Sequence, residues 1–137
     1  MTAFATSTLA TPAAISQAID DVMEFLQREN VDARATHHVA LVIEEMLANL
    51  GSHGACRDEP ARISVSVEPA RVKGMIVDRG PPFDPRTAPA PNLAPLADDR
   101  PVGGLGLHLV RQFSTLEYSR QNGENHMTFY VARAWRA

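Results

Sequence analysis

The sequence has one cysteine and one tryptophan among 137 residues. A lone thiol, Cys56, makes no internal disulfide, which fits a reducing compartment. Its only close base in sequence is His53, and Cys56 reads as a loop or partly buried thiol rather than as a nucleophile. Basic residues are not in excess. With 13 Lys and Arg against 16 Asp and Glu the net charge is −3, which leaves no positive field for nucleic acid. Residues 1–15 contain no Lys or Arg, so the charged start of a secretory signal is missing, and no apolar run approaches the length of a bilayer span. A cytoplasmic protein is expected, with proteins or small molecules as partners and no membrane. No internal repeat is present.

What is there has the composition of an ordinary soluble domain: 45% hydrophobic and 21% charged residues, in a length that holds one core and not two. A single domain over 1–137 is expected. Its organising stretch is Val42-Ile43-Glu44-Glu45-Met46-Leu47-Ala48-Asn49-Leu50-Gly51-Ser52-His53-Gly54. Glu45, Asn49 and His53 are four apart, so a helix that persisted to His53 would turn all three to one face. Val39, Val42, Ile43, Met46, Leu47 and Leu50 form the other, apolar face. Taken alone, Glu45 and Asn49 read as the solvated side of an amphipathic helix.

In chain order, the alternation of residues 4–9 reads as an edge strand. Thr11-Pro12 supplies a capping hydroxyl and a proline at the first helical position. Ile15, Ala18, Ile19, Val22, Met23 and Leu26 then recur at helical spacing over 12–29. Asn30-Val31-Asp32 is a break, and the second helix runs from Ala33 to about Leu50, its end marked by Gly51 and Gly54. Ile63, Val65 and Val67 alternate with polar residues in a half-buried strand. After the Pro69-Ala70 turn, residues 71–77 make a second strand, whose apolar end Met75-Ile76-Val77 places it centrally in a sheet. Seven of the ten prolines fall between Gly80 and Pro101, a density no helix or strand survives. A loop of that length inside a domain reads as a lid. Gly103-Gly104-Leu105-Gly106 opens a third helix, with Leu107, Leu109, Val110 and Phe113 in phase. Strands over 116–120 and 127–133 follow, joined through Asn122-Gly123, and Trp135 is expected to cap one edge of the core.

Two downstream motifs change the reading of the second helix. Val77-Asp78-Arg79-Gly80-Pro81-Pro82-Phe83-Asp84-Pro85 sets a carboxylate where a central strand exits into a glycine turn. There it can accept from an exocyclic amine such as that of adenine, or from the amides of its own turn. Gly103-Gly104-Leu105-Gly106-Leu107 offers bare amides at a helix N-terminus, where phosphate is favoured. In this order and spacing, over residues 12–129, the segments resemble the three ATP boxes of the GHKL superfamily, which binds ATP in the Bergerat fold. Glu-x-x-x-Asn followed by His53-Gly54, together with Asp-Arg-Gly-Pro-Pro-Phe-Asp-Pro, is similar to the anti-sigma factor serine kinases of bacterial partner-switching modules.

The resemblance implies an α/β, two-layer sandwich with a mixed, mostly antiparallel sheet covered on one face by helices, and an ATP lid at about 81–103. It implies ATP and Mg²⁺ as cofactors. Asn49 would be the Mg²⁺ ligand and Glu45 the base that takes the proton of a serine hydroxyl. Asp78 would read the adenine amine, with Gly80 beside the base. Gly103, Gly104 and Gly106 would close on the phosphates, Arg100 would be a lid contact to phosphate, and His53 would stand at the nucleotide with holding the helix end as its main work. The sequence departs from the pattern at Gly51 and Ser52, where larger apolar residues are usual, so an early helix end is expected there. The lid also lacks an obvious lysine.

The implied function is a serine/threonine kinase that phosphorylates a small anti-anti-sigma (STAS-type) antagonist and sequesters a sigma factor; a homodimer would agree with the resemblance. Two alternatives stand beside it. One is a module of the same fold that uses ATP only to order its lid and hold a partner. The other is the catalytic domain of a histidine kinase, for which His37 and His38 lie just before the ATP helix but read as a solvated helix start.

Overall fold

The computed structural model describes residues 2–52, 58–87 and 104–135. In chain order it contains β1 (Ala3–Thr8), α1 (Pro12–Arg28), α2 (Ala33–Ser52), β2 (Ala61–Val67), β3 (Arg71–Asp78), α3 (Gly104–Phe113), β4 (Ser114–Gln121) and β5 (Glu124–Ala132). The strands form one five-stranded sheet in the order β1-β2-β3-β5-β4. All four pairings are antiparallel, so the described sheet contains none of the parallel pairs that a mixed sheet would have. The helices cover one face of it.

Local chemistry sets the ends of these elements. Thr11 accepts a hydrogen bond from the Ala14 amide through Oγ1 at 3.2 Å and Pro12 takes the first helical position, so α1 starts where the sequence indicated. α1 stops at Asn30, whose φ of 59° is left-handed, while Val31 N–H donates back to the Leu26 carbonyl at 3.0 Å. Asp32 then caps α2 by accepting from the Ala35 amide at 3.2 Å. Asn122 and Gly123, with φ of 51° and 76°, make the β4–β5 hairpin, the twist that a two-residue turn between antiparallel strands favours.

α2 runs past the expected stop. Gly51 is helical, and the described helix extends through Ser52. A β-carbon at position 51 would meet the Ala10 Cβ at 3.1 Å and the Ala10 carbonyl at 3.3 Å. Glycine here is a matter of close approach between α2 and the β1–α1 connection rather than of helix termination.

The core lies between the helices and the inner face of the sheet. Val39, Val42, Ile43, Met46, Leu47 and Leu50 of α2 are all buried, against Ile63, Val65, Val72, Ile76, Met127, Phe129 and Val131 of the sheet. Phe25, whose place in the α1 stripe the helical spacing list passed over, is also buried and stacks on Phe4 of β1 with ring centroids 5.5 Å apart. Phe129 is the largest fully buried side chain, and its ring occupies the space above its cross-strand neighbour Gly74. Trp135 does not cap the core. It is 70% exposed, because the chain leaves the sheet at Ala132 and is tied down by Asp32, which accepts from the Ala134 amide at 2.8 Å, before any apolar surface is reached.

A methyl group at position 74 would overlap the Phe129 ring. Gly74→Ala is expected to destabilise the fold by about 1–3 kcal/mol through overpacking. In urea unfolding, the loss should be partly relieved in the double variant Gly74→Ala/Phe129→Leu, as two residues competing for one volume require.

Candidate functional site

Burial of the apolar stripe of α2 fixes the rotation of the helix and thereby the direction of Glu45 and Asn49. Asn49 is only 6% exposed, and its Nδ2 donates to the Glu45 carbonyl one turn earlier at 2.7 Å. The carboxamide is thus held against the helix rather than swinging in solvent. Glu44, one residue before Glu45, is exposed. The helix separates these adjacent carboxylates into a surface group and a site group.

Glu45 meets the glycine-rich motif directly. A β-carbon on Gly106 would overlap the Glu45 carboxyl group, so the first turn of α3 lies against this carboxylate and a side chain at 106 would displace it. Oε2 of Glu45 is buried and makes no hydrogen bond among the described residues. Burial, with a smaller contribution from the Glu44 charge, raises its pKa above that of an ordinary glutamate. A half-buried carboxylate with an open lone pair and raised basicity has the properties of a general base.

The second cluster stands at the end of β3. Asp78 is 4% exposed, and its Oδ1 accepts from the Gly80 amide at 2.8 Å and from Asn125 Nδ2 at 3.1 Å. Both the turn-holding role and a ligand-reading role therefore fit one residue, since Oδ2 has no hydrogen-bond partner among the described residues. Asn125, which the sequence reading missed, is the centre of this cluster and is 2% exposed. Its Nδ2 also donates to the Pro81 carbonyl at 2.9 Å, and its Oδ1 accepts from the Phe83 amide at 3.3 Å and from the Tyr118 hydroxyl. The signal was its phase: Asn125 shares the buried face of β5 with Met127, Phe129 and Val131, and lies opposite Asp78 in the register.

The two clusters share a wall. Met46 and Leu50 of α2, neighbours of Glu45 and Asn49, line a cleft with Ile76, Asp78, Phe83, Pro85, Asn125 and Met127. Its volume is about 20 Å³, room for a single water and far less than a purine needs. Residues 81–87 close it, and they are held there by Asn125, by Arg120 Nη1 donating to the Gly80 carbonyl at 2.7 Å, and by Arg111 donating to the Pro85 carbonyl. This segment, the described part of the expected lid, has no helix or strand.

Gly80 is fixed in the Asp78 turn, and Gly104 begins α3. His53, Arg100 and Gly103 lie outside the described residues. No group of three or more His, Cys, Asp or Glu side chains suited to a metal occurs among the described residues. The donor set near Glu45 therefore fits an ion held by one protein oxygen, from Asn49, and otherwise by phosphate and water. It does not fit a metal enclosed by protein. His38 is more than a solvated helix start, since its ring stacks on Phe113 at 4.1 Å with 16° between planes.

Two results are expected at these clusters. The folded protein holds the Glu45 proton more tightly than the unfolded chain, so Glu45 subtracts stability as pH rises from its ordinary pKa of 4.5 through the raised value. Glu45→Gln should melt higher than the parent at neutral pH, with the gain shrinking to nothing in acid; a constant difference across the pH series would contradict this. Asn125→Asp sets a second carboxylate beside Asp78, so one of the two must hold a proton. Its melting temperature should fall at neutral pH and recover on acidification, which loss of a neutral hydrogen bond alone would not produce.

Similarity to known proteins agrees with this geometry. The histidine kinase-like ATPase domain family matches residues 8–131. The serine/threonine-protein kinase BtrW of Bordetella bronchiseptica is 38% identical over 104 residues, 74% of this chain and 73% of that protein. Among solved structures, the RsbU and RsbW domains of Rv1364c from Mycobacterium tuberculosis superpose with a TM-score of 0.66 at 15% identity, covering 99% of this chain and 34% of that one. The SiaB–SiaC complex from Pseudomonas aeruginosa gives a TM-score of 0.53 at 12% identity, with 94% and 89% covered. These two structures speak for the fold alone. The match over residues 8–131, to a family whose fold and motif order this chain reproduces, makes it a member of the histidine kinase-like ATPase domain family.

Proposed function

We propose that the chain is an ATP-dependent serine/threonine protein kinase that acts as an anti-sigma factor, phosphorylating a serine of a small STAS-type antagonist in a partner-switching module. The observation that carries the catalytic part is Glu45: a buried carboxylate oxygen without a partner among the described residues, raised in basicity and pressed against Gly106 at the start of α3. A module that only binds nucleotide has no use for a base in that position. The kinase named BtrW, 38% identical, supports the same reading.

In this reading Asp78 Oδ2 holds the adenine amine, with Gly80 at the edge of the base. The amides at the start of α3, Gly104 and Gly106 among them, receive phosphate, joined by Gly103, and Arg100 and His53 complete the contacts from the lid and the helix end. Asn49 presents its side-chain oxygen to Mg²⁺, which when bound neutralises charge on the phosphates. Glu45 takes the proton of the incoming serine hydroxyl as its oxygen bonds to the γ-phosphorus of ATP and the bond to the β-phosphate oxygen breaks, leaving ADP. Phosphate on the antagonist adds charge to the shared interface, which favours release of the antagonist and capture of the sigma factor. A homodimer and a cytoplasmic location complete the proposal. No described helix is long and apolar enough to cross a membrane.

Two variants test the reading. Glu45→Ala should bind ATP as the parent does, by calorimetry with and without Mg²⁺, yet lose about 10²–10⁴-fold in phosphotransfer to STAS-domain proteins. Asn49→Ala should lose the Mg²⁺-dependent part of ATP binding. Unchanged phosphotransfer in Glu45→Ala would remove Glu45 as the base, and no transfer by the parent with ATP bound would replace the kinase by the nucleotide-binding module.

A further inference from the structure

At the end of α3 away from Gly106, a groove of about 820 Å³ lies between the first turns of α2, the α3–β4 junction and the exit of β5. It belongs to neither cluster of the candidate site. Arg34, Arg111 and Arg133 line it, and among the described residues Asp32 is its only carboxylate. Both Asp32 oxygens are already engaged, Oδ1 by the Ala134 amide at 2.8 Å and Oδ2 by the Ala35 amide at 3.2 Å. Arg34 is exposed and makes no hydrogen bond or ion pair among the described residues. Arg133 donates only to neutral carbonyls, those of Glu68 at 3.3 Å and Asn30 at 3.4 Å, and its Nε is buried without a hydrogen-bond partner. Arg34 and Arg133 thus face one groove whose described carboxylate is already committed, in a chain whose net charge is −3. An incoming anion relieves that repulsion.

The shape of the groove narrows the ligand. The stacked rings of His38 and Phe113 give it a flat, partly apolar surface. Ser114 and Thr115, at the start of β4, form another side, and β4 is an edge strand with no neighbour beyond it among the described strands. The volume is that of a pocket for a multi-atom ligand rather than for one small ion. An unpaired strand edge beside a cationic groove suits an extended chain that carries carboxylates.

We propose that this groove docks an acidic, extended segment of a partner protein, with the carboxylates of the segment meeting Arg34 and Arg133 and an apolar side chain resting on the His38–Phe113 stack. The proposal does not rest on the kinase reading, and the groove meets the nucleotide cluster at Arg111, which lines it and also donates to the Pro85 carbonyl. Its position at the far end of α3 leaves both surfaces open to occupation at once.

The test uses the whole chain with a hexaglutamate peptide as probe, followed by NMR of backbone amides and of the His38 imidazole. His38 interacts with Arg34, His37 and Asp32 of its own helix and cap, and shares the groove with Arg111 of α3 and Arg133 of the chain end. Burial first, then the Arg34 and His37 charges, lower its pKa, and Asp32 opposes them. Bound carboxylates should raise the His38 titration midpoint and shift amides around residues 34, 114 and 133. Arg34→Glu should weaken the peptide roughly five-fold or more while ATP affinity stays unchanged, and Arg133→Gln should weaken it without reversing local charge. Hexalysine should produce neither effect. Equal shifts from inorganic phosphate at matched ionic strength, with none specific to the peptide, would replace the docking segment by a simple anion site. Shifts that ignore Arg34→Glu, or no shifts at all, would overturn the proposal.

Discussion

Six side chains of α2, from Val39 to Leu50, are withdrawn from water against the sheet, each contributing about 1.5–3 kcal/mol, and the placement of Glu45 and Asn49 follows from that burial. A helix held along one stripe has one rotation. Glu45 and Glu44 are then sorted into different environments by 100° of helical turn, and Asn49 is brought against the Glu45 carbonyl. The closeness of Gly51 to Ala10 and of Gly106 to Glu45 extends the same constraint to both ends of the site. A β-carbon would press on Ala10 at the first and displace the Glu45 carboxyl group at the second.

Two buried polar groups show how the fold treats polarity differently in scaffold and site. Asn125 is saturated: it bonds to Asp78, to the backbone of the following turn and to Tyr118, and so sets the carboxylate and the loop together. Glu45 has an oxygen left unsatisfied. A buried carboxylate in that condition destabilises the fold, and it is retained at the point where the helix and the glycine motif converge. Local disagreement between stability and placement is what a reacting group requires.

Most of the element order was legible because the periodicities are clean: the helical stripe of α1, the alternation of β2, the Asn122-Gly123 hairpin. Close packing was not legible. Gly51 looked like a stop because glycine often ends helices, whereas its reason lies across space at Ala10. Asn125 escaped because the β5 apolar run was taken to begin at Met127, three residues late for a strand that starts at Glu124. Trp135 was assigned to the core on size alone, yet the Asp32 link to Ala134 turns the chain end away first. At the site, the helix carboxylate and the strand-end aspartate could be named from motif order. Their environments, which decide what they can do, depend on residues distant in sequence.

Phe83 and Pro85 leave about 20 Å³ between the strand-end aspartate and α2, so in the proposed kinase a nucleotide base and these side chains would compete for one volume. The competent form is then a fraction of the population, and the apparent dissociation constant equals the intrinsic one divided by that fraction. By linkage, any protein contact that draws residues 81–87 outward tightens nucleotide binding, and bound nucleotide strengthens that contact by the same factor. A closed cleft of this kind makes affinity for a small molecule a readout of which protein is bound.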